Sequence, residues 1–319
     1  MKKMISLVLA LVMVVMVSAC GGSAGTNMTM GTGGTSGTYY GYGGVLGQYI
    51  KNNAGIGVTV VSTDGSKANI QGMDAGNYQL GTVQSDVMAY AWEGTRSFEE
   101  EGKIDSFRVV AGLYAESVQL VTMDPEIKSV ADLKGKSVSI GAPGSGVYFN
   151  AIDVLTAAGL SEQDINAQYQ SFADSADALK DGKIDAAFIV AGPPTPAITE
   201  LCTTNNAYLV PIDGNVADKL MTSCPFYTVY EVPAGTYAGQ TEAVKTVTVK
   251  ATLIVCADAT DDDVYKLTAA IFDNIDAITA ENAKGAELSI ENATSGMTAP
   301  FHPGSAKYFA EKGVEVSVE

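Results

Sequence analysis

The stretch NMTMGTGGTSGTYYGYGGVLGQYIKNN, residues 27–53, decides the fold. NMTMG (27–31) reads as a short strand, a loop of Gly, Thr and Ser follows, and YGYGGVLGQYIKNN (40–53) has the apolar spacing of a helix. Downstream, VTVVST (58–63) is a β-branched strand and SKANIQGMDAG (66–76) is a helix closed by glycine. YQLGTVQ (78–84) is a strand running into a helix that begins near Ser85. Three strand-helix alternations in succession predict one doubly wound α/β lobe.

FRVVAGLY (107–114) and VQLVTM (118–123) lead out of that lobe, and SVADLKGKSVSIG (129–141) opens a second α/β series. Its members are a helix after Ser145, strand 165–172, helix 173–182, strand 184–190, helix 195–202, strand 207–212 and a helix at 215–223. FYTVYEVP (226–233) and VKTVTVKATLIVCA (244–257) read as extended, and 261–282 as one long amphipathic helix. Asp261, Asp262 and Asp263 fall in the first turn of that helix, where acids suit the positive end of the dipole; the reading is a helix start, not a metal site.

The N-terminus has Lys2 and Lys3 ahead of an uncharged apolar run, Met4 to Val17, and then Ser18 and Ala19, which is the layout of a signal peptide over 1–19. The run is shorter than a membrane-spanning helix requires. Cys20 comes next, and Val17-Ser18-Ala19-Cys20 resembles the bacterial lipobox, so Cys20 is the expected lipidation site and 20–27 a flexible tether. Loss of Lys2 and Lys3 leaves 17 basic residues against 36 acidic, a net charge of 19 negative. That field opposes nucleic acid and anionic lipid. About 300 remaining residues, from a chain of 46% hydrophobic content, fit two well-buried lobes. Beyond Cys20, the odd number of cysteines (Cys202, Cys224, Cys256) leaves at least one free thiol, with a Cys202–Cys224 bridge and two buried thiols both open.

Three strand-to-helix turns share one chemistry: GTGGTSGTYY (31–40), VQSD (83–86) and GAPGSGV (141–147). Each puts glycine or a small hydroxyl residue before a helix, so unpaired backbone N–H groups face out beyond a strand end and can hold an anionic or polar group. Taken singly, each is also an ordinary helix cap. Brought together from two lobes, they would clamp a ligand carboxylate. Enzyme motifs are incomplete. The glycine run lacks the dinucleotide fingerprint because Ser36 stands at its third glycine, and Ser145 lacks the spacing of a nucleophile elbow. His302 is the one histidine and lies in a turn, FHPGS. Arg96 and Arg108 are the two arginines, and Arg108 opens a strand, so backbone amides and hydroxyls are expected to carry anion recognition.

The ordered motifs GTGGTSGTYY, STDGSKANI, LGTVQSD, ADLKGKSVSIGAPGSGV, ADALKDGKIDAAFIVAGPP, LVPIDG, CPFYT, VPAGTY and FHPGSAKYF resemble the TAXI family of solute receptors, the binding subunits of one class of TRAP transporter. The likeness runs from about 28 to 310; Asp64 stands where the family pattern has glycine. The resemblance implies an α/β, two-lobed periplasmic-binding-protein fold, type II-like, with a hinge between the lobes. The first lobe is expected from 28–121 and 229–319, the second from 122–228. It implies capture of glutamate, glutamine or a related small carboxylate outside the cell, delivery to membrane subunits, no cofactor, no metal and no catalytic step. The ligand residues it implies are Gly33, Thr35, Ser36 and Tyr39, Gln84 and Ser85, Ser145, Gly146 and Val147, and Gly192 with Pro193. Phe226 and Tyr227 are expected as hinge or cleft wall. An exported hydrolase using Ser145 or Ser36, and a sensory surface lipoprotein, are the competing readings.

Overall fold

A computed structural model describes residues 26–319; the expected signal peptide, Cys20 and the tether up to residue 25 lie outside the described residues. The opening stretch forms β1 (Asn27–Gly31) and α1 (Thr38–Ala54). On α1, Thr38, Tyr42, Leu46 and Ile50 are buried at intervals of four, one face of a helix. Gly43 and Gly47 let that face lie close on the sheet. A Cβ on Gly43 would come within 3.0 Å of Thr32 Cγ2, and one on Gly47 within 3.3 Å of Val58.

The first series continues with β2 (Gly57–Val61), α2 (Ser66–Asp74), β3 (Leu80–Gln84) and α3 (Ser85–Glu93). β4 (Phe107–Thr122) leads to β5 (Ser137–Ser139), α4 (Val147–Ala157), β6 (Asn166–Gln168), α5 (Phe172–Lys180), β7 (Ala186–Ala191), α6 (Pro196–Thr204), β8 (Tyr208–Val210) and α7 (Gly214–Ser223). After β9 (Thr228–Val232) and β10 (Val244–Cys256) come α8 (Asp261–Phe272), α9 (Ile275–Glu281), α10 (Ile290–Thr294) and α11 (Pro303–Glu311).

These strands form one hydrogen-bonded sheet in the order β2-β1-β3-β10-β4-β7-β5-β6, with β8 added on β4 and β9 on β10. The two segments 107–114 and 118–123, expected to be separate, are one strand. β4 and β10 are long, antiparallel to each other, and run through both lobes. The core shows where they cross. Leu113 and Tyr114 pack with the first lobe and Val118 and Leu120 with the second; Val247 and Val249 belong to the second lobe and Ala251 and Leu253 to the first. The crossings therefore fall inside β4 and β10, not at 121/122 and 228/229. No turn marks them, because a strand buried on both sides of the crossing reads as one apolar run.

The second lobe buries both faces of its sheet. Along β7, Phe188 and Val190 enter one layer, while Ala187, Ile189 and Ala191 enter the other. The expected helix 261–282 is broken at Asp273–Asn274 into α8 and α9. The aspartates occupy the first turn of α8, where the Thr260 hydroxyl accepts from Asp263 N at 3.2 Å. FHPGS is a helix start and not a free turn: His302 Nδ1 accepts from Gly304 N at the head of α11, and its Nε2 lies 3.0 Å from Ala259 O. Cys202 and Cys224 are free and sit in different apolar layers, which rules out their pairing here. No described helix is long and apolar enough to cross a membrane.

Candidate functional site

A cavity of about 350 Å³ lies between the lobes. Four helix starts surround it: Gly37–Tyr39 of α1 and Gly65–Ser66 of α2 from the first lobe, Gly146–Val147 of α4 and Ser171–Ala173 of α5 from the second. Each start carries backbone N–H groups without an intrahelical partner. Gly65 makes the tight entry to α2 with φ 109°, a conformation closed to most side chains.

The lobes are closed on each other through bonds from one to the other. Ala68 N donates to Gly144 O and Ala197 N to Ser36 O, both at 3.1 Å, and Thr38 Oγ1 donates to Gly192 O at 2.8 Å. Beside the cavity, Gln84 Nε2 donates to Asn150 Oδ1 at 2.9 Å, and Asn150 Nδ2 donates to Asp86 Oδ2 at 2.9 Å and to the Tyr227 hydroxyl at 2.7 Å. Further out, Arg96 makes a two-pronged pair with Asp153, 2.6 Å and 3.2 Å, with its guanidinium 4.9 Å from the Tyr90 ring centroid. Burial pushes the Asp86 carboxyl up to about 6, with Asn150 and the Val87 amide opposing.

Gly33, Thr35, Ser36, Tyr39, Gln84, Ser145, Gly146 and Val147 all line the cavity. Ser85, Gly192, Pro193, Phe226 and Tyr227 do not. Ser85 Oγ accepts from Lys250 N and faces a second cavity behind the crossing strands, which Phe226 also lines. Gly192 serves the lobe-to-lobe bond to Thr38. Tyr227 belongs to the Asn150 and Asp153 network, and Phe226 packs edge-on against Tyr90 at 5.8 Å.

The residue reading missed Glu116, which is fully buried at the β4 crossing, lines the cavity, and accepts the Tyr39 hydroxyl at 2.7 Å on Oε2. Burial pushes its carboxyl up to about 8, against the pull of the Tyr39 bond. An acid inside the apolar run FRVVAGLYAESVQLVT was the available signal, since a charged residue in a buried strand needs a reason. It also missed Ser62, Thr63, Asp64, Ser66 and the 170–173 turn, which have no distinctive spacing. Neither arginine lines the cavity: Arg96 ties the lobes, and Arg108 stacks 5.3 Å from the Trp92 ring. Among the lining side chains, Asp64 and Glu116 are the acidic ones, and there is no Lys, Arg or His. The Ser145 hydroxyl donates to Ala142 O at 2.7 Å.

Solved structures share this fold. A protein of Bordetella bronchiseptica RB50 superposes with a TM-score of 0.54 at 18% identity, covering 89% of each chain. The ligand-binding component of an ABC-type import system from Staphylococcus aureus, solved with zinc bound, gives 0.50 at 10%, covering 90% of each chain. The binding-protein component of an ABC phosphonate transporter from Pseudomonas aeruginosa gives 0.50 at 12%, covering 81% of this chain and 79% of that one. Together with the topology and the two cores, these make the architecture the two-lobed α/β fold of periplasmic binding proteins. The family profile that matches covers residues 30–313, essentially all of the described chain, and the chain belongs to the NMT1-like family.

Proposed function

We propose that this chain is the solute-capturing subunit of a TRAP-type transporter, exported, held at the membrane surface by a lipid on Cys20, and without a catalytic step. Its ligand on this reading is an amino acid or small organic anion such as glutamate, glutamine or a related carboxylate. The observation that carries the proposal is the convergence of helix starts from both lobes on one cavity. Backbone amides pre-aimed at a point hold a carboxylate without a cationic side chain. A ligand that touches both lobes stabilises the closed form by its contacts to each, so capture is a shift of population toward closure. The TRAP assignment rests on the motif resemblance. The Staphylococcus and Pseudomonas fold neighbours belong to ABC systems, which makes an ABC permease the second reading; the membrane-subunit genes beside this one separate the two.

A thermal-shift screen of the purified protein against amino acids and small carboxylates tests the function. A ligand that binds only the folded state raises the melting temperature by mass action. A shift by one solute class supports the proposal. Absence of any shift by small solutes, together with turnover of an ester or amide lost in a Ser145→Ala variant, would establish the hydrolase instead.

A further inference from the structure

Two carboxyls stand where the lobes meet, and neither has a cation paired with it. Glu116, 2% exposed on β4, lines the cavity and accepts the Tyr39 hydroxyl. Asp86, fully buried on α3, accepts Asn150 Nδ2 from the other lobe. The nearby cations are engaged elsewhere: Arg96 with Asp153, Lys284 with Glu287 at 2.6 Å, and Lys250 with the Asn292 and Ser295 carbonyls. The second lobe completes the enclosure of Glu116. Its Gly192 lies so close on the first-lobe wall that an added Cβ would stand 2.9 Å from Tyr114 Cε2 and 2.9 Å from Lys284 Cε, and Gly192 O accepts Thr38 Oγ1. Parting the lobes breaks the Thr38–Gly192 and Asp86–Asn150 bonds and admits water to both acids.

We propose that closing the lobes binds a proton at Glu116, and a second at Asp86 in more acid solution, so that the molecule takes up its solute together with a proton. This rests on reading the cavity as the solute site. Ionised, Glu116 would set a charge in an enclosed space whose lining has no basic side chain to offset it. Neutral, it leaves the positive potential of the four helix starts unopposed. The groups facing Glu116 are Tyr39 from α1, Tyr114 from β4, Asp86 from α3 and Lys284 from the 283–287 turn. Those facing Asp86 are Asn150 and Asp153 from α4, Tyr90 from its own helix, Tyr227 ahead of β9, and Glu116. In the closed form burial holds Glu116 at about 8 and Asp86 at about 6. Open to water, both return toward the ordinary carboxylate range and ionise at neutral pH. A carboxyl whose value is raised in one form gains a proton on entering that form, so acid favours closure and alkali favours opening. The proton comes from solvent and stays on a carboxyl oxygen; no bond of the solute changes.

Two arms test this. Small-angle X-ray scattering on the solute-free protein reads the lobe separation from about pH 8.5 to about 5.5. The radius of gyration should fall across that interval in the parent and stay constant in Glu116→Gln combined with Asp86→Asn. Calorimetric titration with L-glutamate and with L-glutamine, at neutral pH in phosphate and in Tris, counts protons from the difference in heat between buffers. Whichever solute binds should take up roughly one proton and bind about tenfold more tightly for each pH unit removed between about 7.5 and about 6. Glu116→Gln, which keeps an acceptor for the Tyr39 hydroxyl, should bind without proton uptake and with affinity independent of pH over that range. A radius indifferent to pH, a radius that follows pH equally in the double variant, or capture without proton uptake would overturn the proposal. A radius that follows pH in the parent alone, with neither solute bound, would establish the proton site and refute the solute assignment.

Discussion

Gly146→Ala separates closure from folding. Gly146 has φ −73° and ψ −20°, the right-handed region that alanine adopts without strain, so the second lobe should fold as before. The added methyl would fall on Gln84 Oε1, 2.6 Å from Gln84 Cδ and 2.8 Å from Val87 Cγ2, where ordinary contact begins at 3.4 Å. Neither neighbour can retreat, because Gln84 is held by Asn150 and Val87 is fully buried in α3. Forcing the methyl in costs about 1–3 kcal/mol as overpacking. Breaking the buried Gln84–Asn150 bond adds about 1–3 kcal/mol. Both fall on the closed form alone, so affinity for any ligand of the cavity should drop about 30-fold or more. Calorimetric titration gives the affinity, and urea unfolding of the ligand-free variant should give a free energy within about 0.5 kcal/mol of the parent. Parent-like affinity in Gly146→Ala would refute the claim that the Gln84–Gly146 approach is part of the ligand-competent state.

Arg96→Gln and Asp153→Asn should each weaken ligand binding about tenfold, and a double-mutant cycle should show about 1–2 kcal/mol of coupling, since the pair joins the lobes with Asp153 largely buried; additive effects would make it a surface pair. The closed form should lose stability as pH rises from about 4 to 8. Asp86 and Glu116 have folded-state values raised to about 6 and about 8, so their stabilising contribution is full below the unfolded carboxylate range and is lost as pH passes each folded value. Scanning calorimetry should show the melting temperature falling over that interval and flattened at its lower end in Asp86→Asn; a rise would contradict the burial of these acids. His302→Ala removes the cap on α11 and the bond to Ala259 O, and should cost about 2 kcal/mol in urea unfolding without altering ligand affinity.

The residue pattern carried the alternation of strands and helices and the turns that meet at the cavity, because glycine and hydroxyl residues before a helix have a local cause. Gly33 to Tyr39 and Ser145 to Val147 stand beside one another in the structure for that reason. The crossings inside β4 and β10 were not legible. Apolar periodicity reports burial but not which of two cores receives a residue, so Val118 and Val249 look no different from Val110 and Leu253. Ser85 and Gly192 miss the cavity because a strand end presents successive residues to opposite sides. Glu116 was hidden by its neighbours, since its meaning depends on Tyr39, which lies 77 positions earlier. The Asp86, Asn150 and Tyr227 network was likewise invisible, being assembled from three separated elements.

The halves of this molecule are joined by backbone that stays paired as it passes from one to the other, β4 against β10, with irregularities of register between Lys250 and Thr252 and between Leu253 and Ile254. A joint of this kind behaves as a leaf spring and not as a free pivot. Small dihedral changes spread over many residues must supply the swing, so the excursion is bounded and stores elastic energy while the ladder bonds survive. The outward rims of the two halves would then hold a defined mutual orientation at each end of the stroke; on the proposed reading, a membrane partner would distinguish the loaded from the empty form by the alignment of those edges, without touching the solute inside.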